Sequence, residues 1–493
     1  MAGAALLLAV PAAAPAAVTH VDCSAQRAGD GARGRPLNTL AGANALTLGP
    51  GDRLLLRRGT VCRGTLAPRG SGTARRPVVI GAYGHGALPH VQGAGEDAVL
   101  LKDMSHVILR SLEVSNRGAT EARRRGVHVV ASTGVVRGVT IRGLDIHDVQ
   151  GDLSKDAGGS GGIQVDVLGP EPTRFDDLLI EGNRITDVSR SGIFIVGTAD
   201  SDRPRAGSPW PAASTRVRVR ANRLARLGGD GIVPLGTLGA VVEHNVVSEG
   251  NLRGRGLADP LGMICNAGIW TFHANGTVIQ RNEVFGMRFN GCDGSAFDVD
   301  YDQDGTVVQF NYSHDNEGGF ILLCTDAQPR RAQVRFNLSV DDRLVANQSP
   351  CSLQPGANYS GLRFHNNTIV GARLSWGLLG SATRSLLDAA RLELRNNVFY
   401  ATAPQATTLG CGAPCSHNLF FGLPPTGSAA LSADPLFRDP ARRGRGRLAV
   451  GRGFRLGRPS PARGAGIPVP GSTASDYFGR PVPAAPSIGF SQR

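Results

Sequence analysis

The chain is almost without lysine. Of its 53 basic residues only Lys102 and Lys155 are lysine, so the formal charge of +13 is carried by arginine. That bias reflects composition spread over a surface and is densest at 437–463. Aromatic residues are also scarce, at 5%, and they do not interleave with basic ones as single-strand binders need. Nucleic acid is therefore not an expected partner. A basic surface does suit an acidic polysaccharide. No uninterrupted apolar run approaches the ~20 residues of a membrane span, so none is expected. Glycine is abundant (67 of 493) but has no three-residue period, which excludes collagen, and 41% hydrophobic content excludes a disordered chain. The cysteines at 23, 62, 265, 292, 324, 351, 411 and 415 lack paired C-x2-C units, which argues against a zinc cluster.

What is present begins with a leader. Residues 1–17 read as an apolar stretch followed by an Ala/Pro run, like the core and cleavage zone of a secretory signal peptide, although no basic residue precedes it. A secreted protein is expected. Even cysteine numbers in an exported chain suggest disulfides. Sequential pairing is the expectation: Cys23–Cys62, Cys265–Cys292, Cys324–Cys351 and Cys411–Cys415.

One short pattern recurs along the chain: β-formers, a polar residue, Asn, then an apolar residue. It appears as LLIEGNRI, VRVRANRL, AVVEHNVV, TVIQRNEV, TVVQFNYS, AQVRFNLS, LRFHNNTI and LELRNNVF. The asparagines are Asn183, Asn222, Asn245, Asn282, Asn311, Asn337, Asn367 and Asn397, spaced 39, 23, 37, 29, 26, 30 and 30 residues apart. The segments lack a helical period, and no amphipathic helix separates them as a βαβ sheet requires. A minimum near 23 with insertions fits the coils of a β-helix. Stacked asparagines at a tight turn can bond along the stack and tolerate left-handed backbone, so the ladder is structural.

A second strand opens each coil, usually after Gly: GVHVV, GIQVD, GIFIV, GIVPL, GIWTF, AFDVD and GFILL. Strand alternation sends positions two and four inward, for example Ile163/Val165, Ile269/Thr271, Phe297/Val299 and Phe320/Leu322. Positions three and five face outward: His128/Val130, Gln164/Asp166, Phe194/Val196, Val233/Leu235, Trp270/Phe272, Asp298/Asp300 and Ile321/Leu323. A solvated sheet face should be polar. This one is apolar in several coils, so loops are expected to cover it, with 198–216 and 251–266 as candidates. Covered walls beside one polar patch describe a cleft.

The asparagine ladder, together with the closing segment SADPLFRDP…GFRLGRPSPARGAG…DYFGR, resembles the pectin-lyase-like superfamily of right-handed β-helix proteins. The resemblance covers roughly residues 20–490. It implies an all-β, right-handed parallel β-helix (solenoid) in one elongated domain at 18–430, a C-terminal closing segment at 431–493, and a monomer. The superfamily holds polysaccharide lyases and glycoside hydrolases, but also adhesins and epimerases, so function must come from the site.

Asp298 and Asp300 are the sharpest candidates. Two residues apart on one strand, both outward, they stand ~6.5–7 Å apart at the backbone. Inverting glycosidases hold their carboxyls ~6.5–9.5 Å apart. The same pair could instead hold Ca²⁺ through oxygen ligands. Asp293 and Asp302 are the further metal candidates, and Asp304 and Glu317 enlarge the acidic patch, Glu317 as a further catalytic carboxylate. Trp270 and Phe272, one coil earlier, offer a sugar platform. His273 and His314 end nearby strands as proton carriers, metal neighbours or plain turn residues. Lys155 and Asp166, with Gln164, form a second centre in GDLSKDAGGSGGIQVD, since lysine loses its proton more readily than arginine. Asp166 lies four coils from Asp298, ~19 Å along the stack. A long loop could bring Lys155 closer, but an exposed loop charge is the plainer reading.

Three functions remain open: an inverting glycoside hydrolase using the Asp298/Asp300 pair, a Ca²⁺-dependent lyase acting by β-elimination on a uronate polymer, and a non-catalytic glycan-binding surface protein. No cofactor beyond Ca²⁺ is implied.

Overall fold

A computed structural model describes residues 15–492, apart from 156, 171, 199–212, 254–264, 291–292, 301–302, 325–330, 350–360, 378–391 and 412–413. Among these residues the strands form three long sheets of 17, 14 and 10 strands, with parallel pairing throughout. A typical central coil gives at least one short strand to each sheet, and successive coils stack in register. Among the described residues, no helix is long and apolar enough to cross a membrane.

The third sheet, the ten-stranded one, shows why the coils stack. Val99, Val127, Ile163, Ile193, Ile232, Ile269, Phe297 and Ile321 pair one above the next. All eight are fully buried. Removing each such side chain from water contributes ~1.5–3 kcal/mol. Because the side-chain period is two, this inward column forces its neighbours outward.

The alternation read from the sequence holds through Asp298 and slips in the next coil. Phe297 pairs with Ile321 and Val299 with Leu323, so Ile321 and Leu323 face the core. Leu322, not Ile321, stands outward beside Asp298. The slip follows from the Gly318–Gly319 pair. Gly319 has φ of 108° and occupies the place of Ser295 in the coil below, so this strand enters one residue later than its sequence pattern suggests.

The asparagine ladder is continuous. Each Nδ2 donates to the Oδ1 of the next asparagine at 2.9–3.1 Å from Asn183 through Asn397, and to a main-chain carbonyl of the preceding coil. It extends one rung further, to Asn418. The left-handed residue is not the asparagine but the one before it. Gly182, Ala221, His244, Arg281, Phe310, Phe336, Asn366, Asn396 and His417 have φ of 51–63°. For non-glycine residues this conformation costs ~1–2 kcal/mol each, offset by the buried bonds that the next side chain makes.

Two of the expected disulfides are present, Cys23–Cys62 and Cys411–Cys415. Cys265 is also disulfide-bonded. Its expected partner Cys292, and Cys351 of the remaining pair, lie outside the described residues, as does the side chain of Cys324. The C-terminal segment runs along a flank of the coils. Phe437, Phe454, Tyr477 and Phe490 pack with Phe310, Tyr312, Phe336 and Tyr400, Tyr312 Oη donates to Gly444 O, and Gly446 N donates to Glu283 Oε1.

Candidate active site

The outward face of the third sheet carries a second, separate apolar cluster: Phe194, Val196, Val233, Leu235, Ala267, Trp270 and Phe272, each at most 8% exposed. The sheet is therefore covered on this side, as the apolar ribbon implied. The two segments expected to cover it lie largely outside the described residues.

At the C-terminal edge of that cluster the ribbon turns acidic. Trp270 pairs with Asp298 in the next coil. Asp298 is 2% exposed, and its Oδ1 is buried without a hydrogen-bond partner. Asp300, two residues on, and Asp293, at the corner where the chain enters this strand, are half-buried. Burial pushes Asp298 well above the usual carboxylate range, and the charges of Asp300, Asp293 and Asp230 push it further, while Lys155 opposes them. Burial raises Asp293 to about 7, with Asp230 adding to the shift and Lys155 again opposing it.

The organising residue, Asp230, was not among the sequence candidates. It is fully buried. It accepts from Trp270 Nε1 at 2.8 Å, Ala267 N at 3.2 Å and Ser191 Oγ at 3.2 Å. It also faces Arg190 Nη1 at 3.2 Å and Lys155 Nζ at 3.7 Å. Arg190, 1% exposed, donates in turn to Asn266 Oδ1 at 2.5 Å. One signal could have exposed Asp230. In the residue column before the ribbon strands its neighbours are small, namely Ser191, Ala267 and Ser295, so a carboxylate there needs a reason.

Lys155 is not an exposed loop charge. Its Nζ donates to Cys265 O at 2.8 Å and lies 4.6 Å from the centre of the Trp270 ring. The 152–160 loop reaches across several coils, which pattern reading cannot show. Asp166 and Gln164 stay four coils away, as the stack requires. Asp166 is fully buried and accepts from Gln164 Nε2 at 2.8 Å, Gly158 N at 3.0 Å and His128 Nε2 at 2.9 Å. They hold the loop that carries Lys155 and do not line the acidic cluster.

Other candidates take different places. Trp270 and Phe272 stack on each other at 5.2 Å and are 5% and 8% exposed, so neither is an open sugar platform. His273 is a turn residue with φ of 45°, packed on Phe272 at 4.9 Å. His314 belongs to the second sheet, stacked on Phe285 and Tyr312 with Nδ1 on Asp315 at 2.7 Å, so it is not beside Asp298. Glu317 is bound to Arg288 Nη1 at 2.6 Å and Phe289 N at 2.8 Å, outside the cluster. Asp302 lies outside the described residues. A calcium reading of this patch meets two resident cations, Lys155 and Arg190, where the ion would need six to eight oxygens.

This geometry defines a right-handed parallel β-helix with a covered outward face and a cluster of carboxyls in which Asp298 and Asp293 are raised. Residues 172–369 match the family described as right handed beta helix region. The chain is 28% identical to a lacto-N-biosidase of Bifidobacterium longum subsp. longum over 66% of its own length and 25% of that protein. It is similar to the GH136 lacto-N-biosidase of Eubacterium ramulus, with 26% identity, a TM-score of 0.63, and coverage of 73% of this chain and 63% of the other. The structure of XylC with xylose matches in fold, with a TM-score of 0.51 at 13% identity over 96% of this chain and 98% of the other. The chain thus spans a quarter of the first relative and less than two thirds of the second.

Proposed function

We propose that this chain is a carbohydrate-active enzyme, a glycoside hydrolase that cleaves oligosaccharides of the lacto-N-biose type outside the cell. The observation that carries the reading is a carboxyl held well above the usual range, Asp298, with the half-buried Asp300 two residues on, ~6.5–7 Å away at the backbone. A glycosidase needs one carboxyl that holds its proton near neutrality and another that is ionised. Asp298 fits the acid, which protonates the leaving oxygen, and the charge of Asp293 strengthens its hold on the proton. Asp300 fits the carboxylate that activates water or attacks the anomeric carbon. Asp293, beyond the other end of the Ser295–Val299 strand, stands too far from Asp300 for the ~6.5–9.5 Å separation of such a pair. The similarity to two lacto-N-biosidases supports the hydrolase class and the substrate type. The disulfides suit an oxidising compartment.

Elimination is the weaker reading. Lys155 would be its base, yet its Nζ is already engaged by Asp230 and by Cys265 O. Product analysis separates the two. On oligosaccharides containing lacto-N-biose units, hydrolysis yields new reducing ends without the ultraviolet absorbance of an unsaturated sugar. Unsaturated products, or no turnover of any such substrate, would overturn the proposal.

A further inference from the structure

Away from the acidic cluster, the second sheet presents three side chains that nothing in the hydrolase reading uses. His90, Glu113 and His147 come from the strands His90–Gln92, Glu113–Asn116 and Asp145–Val149, which belong to three consecutive coils. Between them Val91, Val114 and Ile146 face the core and are fully buried, so the three polar side chains stand outward. They are 19%, 31% and 23% exposed, within reach of solvent ions but not loose in it.

Their atoms converge. His147 Nε2 lies 3.1 Å from Glu113 Oε1, and His90 Nδ1 lies 3.6 Å from the same oxygen. One ligand atom from each of the three residues falls within 4.8 Å of the other two. Donors on a tetrahedral zinc ion, bound at ~2.0–2.1 Å, lie about 3.3 Å from one another. The two gaps to Glu113 bracket that value, so an ion could enter with small side-chain adjustments.

A second observation is independent of these gaps. Each imidazole is oriented through its other nitrogen, His90 Nε2 by Ser115 Oγ at 2.7 Å and His147 Nδ1 by Asp148 Oδ2 at 2.7 Å. Metal-bound histidines are held in this way, with the second nitrogen on a carboxylate or another polar group that sets the tautomer and ring direction. Here both partners are supplied locally, by a residue of the middle strand and by the next residue of the third.

We propose that His90, Glu113 and His147 form a binding site for one divalent transition-metal ion, of which zinc is the best match in donor chemistry. The fourth position faces solvent. The ion would clip three neighbouring coils together, so binding raises the stability of the folded chain by mass action.

The test uses the full chain, stripped with chelator and titrated with Zn²⁺ by calorimetry, and with Co²⁺ by visible absorption. The expected result is one ion per chain, a tetrahedral Co²⁺ spectrum, and a melting temperature that rises with Zn²⁺. His147→Ala and Glu113→Gln should each weaken binding at least tenfold and abolish the thermal shift. Both positions are outward, and unchanged melting curves without metal would show that the variants fold. His244→Ala, elsewhere on the surface, should bind as the parent does. Absence of stoichiometric binding by the parent, or its retention in the His147→Ala/Glu113→Gln double variant, would overturn the site.

Discussion

Trp270 donates its indole N–H to the buried carboxylate of Asp230 at 2.8 Å. The ring thus belongs to the support of the acidic cluster, with Lys155 resting 4.6 Å from its centre. Trp270→Phe keeps most of the apolar volume but removes one donor from a buried charge, a loss that costs ~1–3 kcal/mol or more. Steady-state kinetics should show kcat falling at least tenfold with little change in KM. A variant that raised KM alone would restore the sugar-platform role that the burial of Trp270 argues against.

The elevated Asp293 and Asp298 carboxyls set the pH dependence. Burial raises the proton affinity of Asp293 to about 7, so its acid form is lost as pH rises through that value. The rate constant kcat/KM should fall on the alkaline side with an apparent midpoint near 7, a value belonging to the coupled carboxylates together. Asp293→Asn should move that limb, because its charge acts on Asp298. A profile flat from mild acid to pH ~9 would remove the coupled carboxyls as the source of the acid.

His128 anchors the Lys155 loop from a distance. It lies between Asp97 at 3.2 Å and Asp166 at 2.9 Å, and Asp166 accepts the Gly158 amide at 3.0 Å. Burial disfavours its charge, but the hydrogen bonds to Asp166 and Asp97 prevail, so its proton affinity is raised in the folded chain. A raised histidine contributes stability that is fully present below its unfolded value of ~6.5 and is lost as pH rises through the folded value. His128→Gln should therefore lower the melting temperature more at pH ~6 than at pH ~9. An equal deficit at both would show that the histidine acts by packing alone.

The ladder should behave as scaffold. Asn311 is fully buried and its side chain bonds to Asn337 Oδ1 and Ile279 O. Asn311→Ala should destabilise by ~1–3 kcal/mol with kcat unchanged, measured by denaturant unfolding beside an assay. A loss of kcat at unchanged stability would place the ladder in the site.

The fold was legible because stacking repeats the same local demand in every coil. An asparagine at the turn and alternating apolar residues in the ribbon recur often enough to align by eye. Where one coil departs, at Gly318–Gly319, the alignment slipped by one residue and misplaced Ile321 and Leu322. The outward placement of Asp298 and Asp300 was readable for the same periodic reason. Burial was not, because it depends on what lies over the ribbon. Period two cannot distinguish the enclosed Asp298 from the half-buried Asp300. Asp230 and Arg190 sit outside the alternating strand positions, and Lys155 arrives through a loop whose path leaves no periodic trace.

The most direct test of the hydrolase assignment compares three isosteric variants on one substrate containing lacto-N-biose. Asp298→Asn and Asp300→Asn should each reduce kcat by at least a hundredfold, in line with the ~10²–10⁴ contributed by general acid–base groups, with melting temperatures near that of the parent. Asp293→Asn, at the far end of the strand from Asp300, should lose far less. Normal turnover by the Asp298 and Asp300 variants, or a loss confined to Asp293→Asn, would contradict the account.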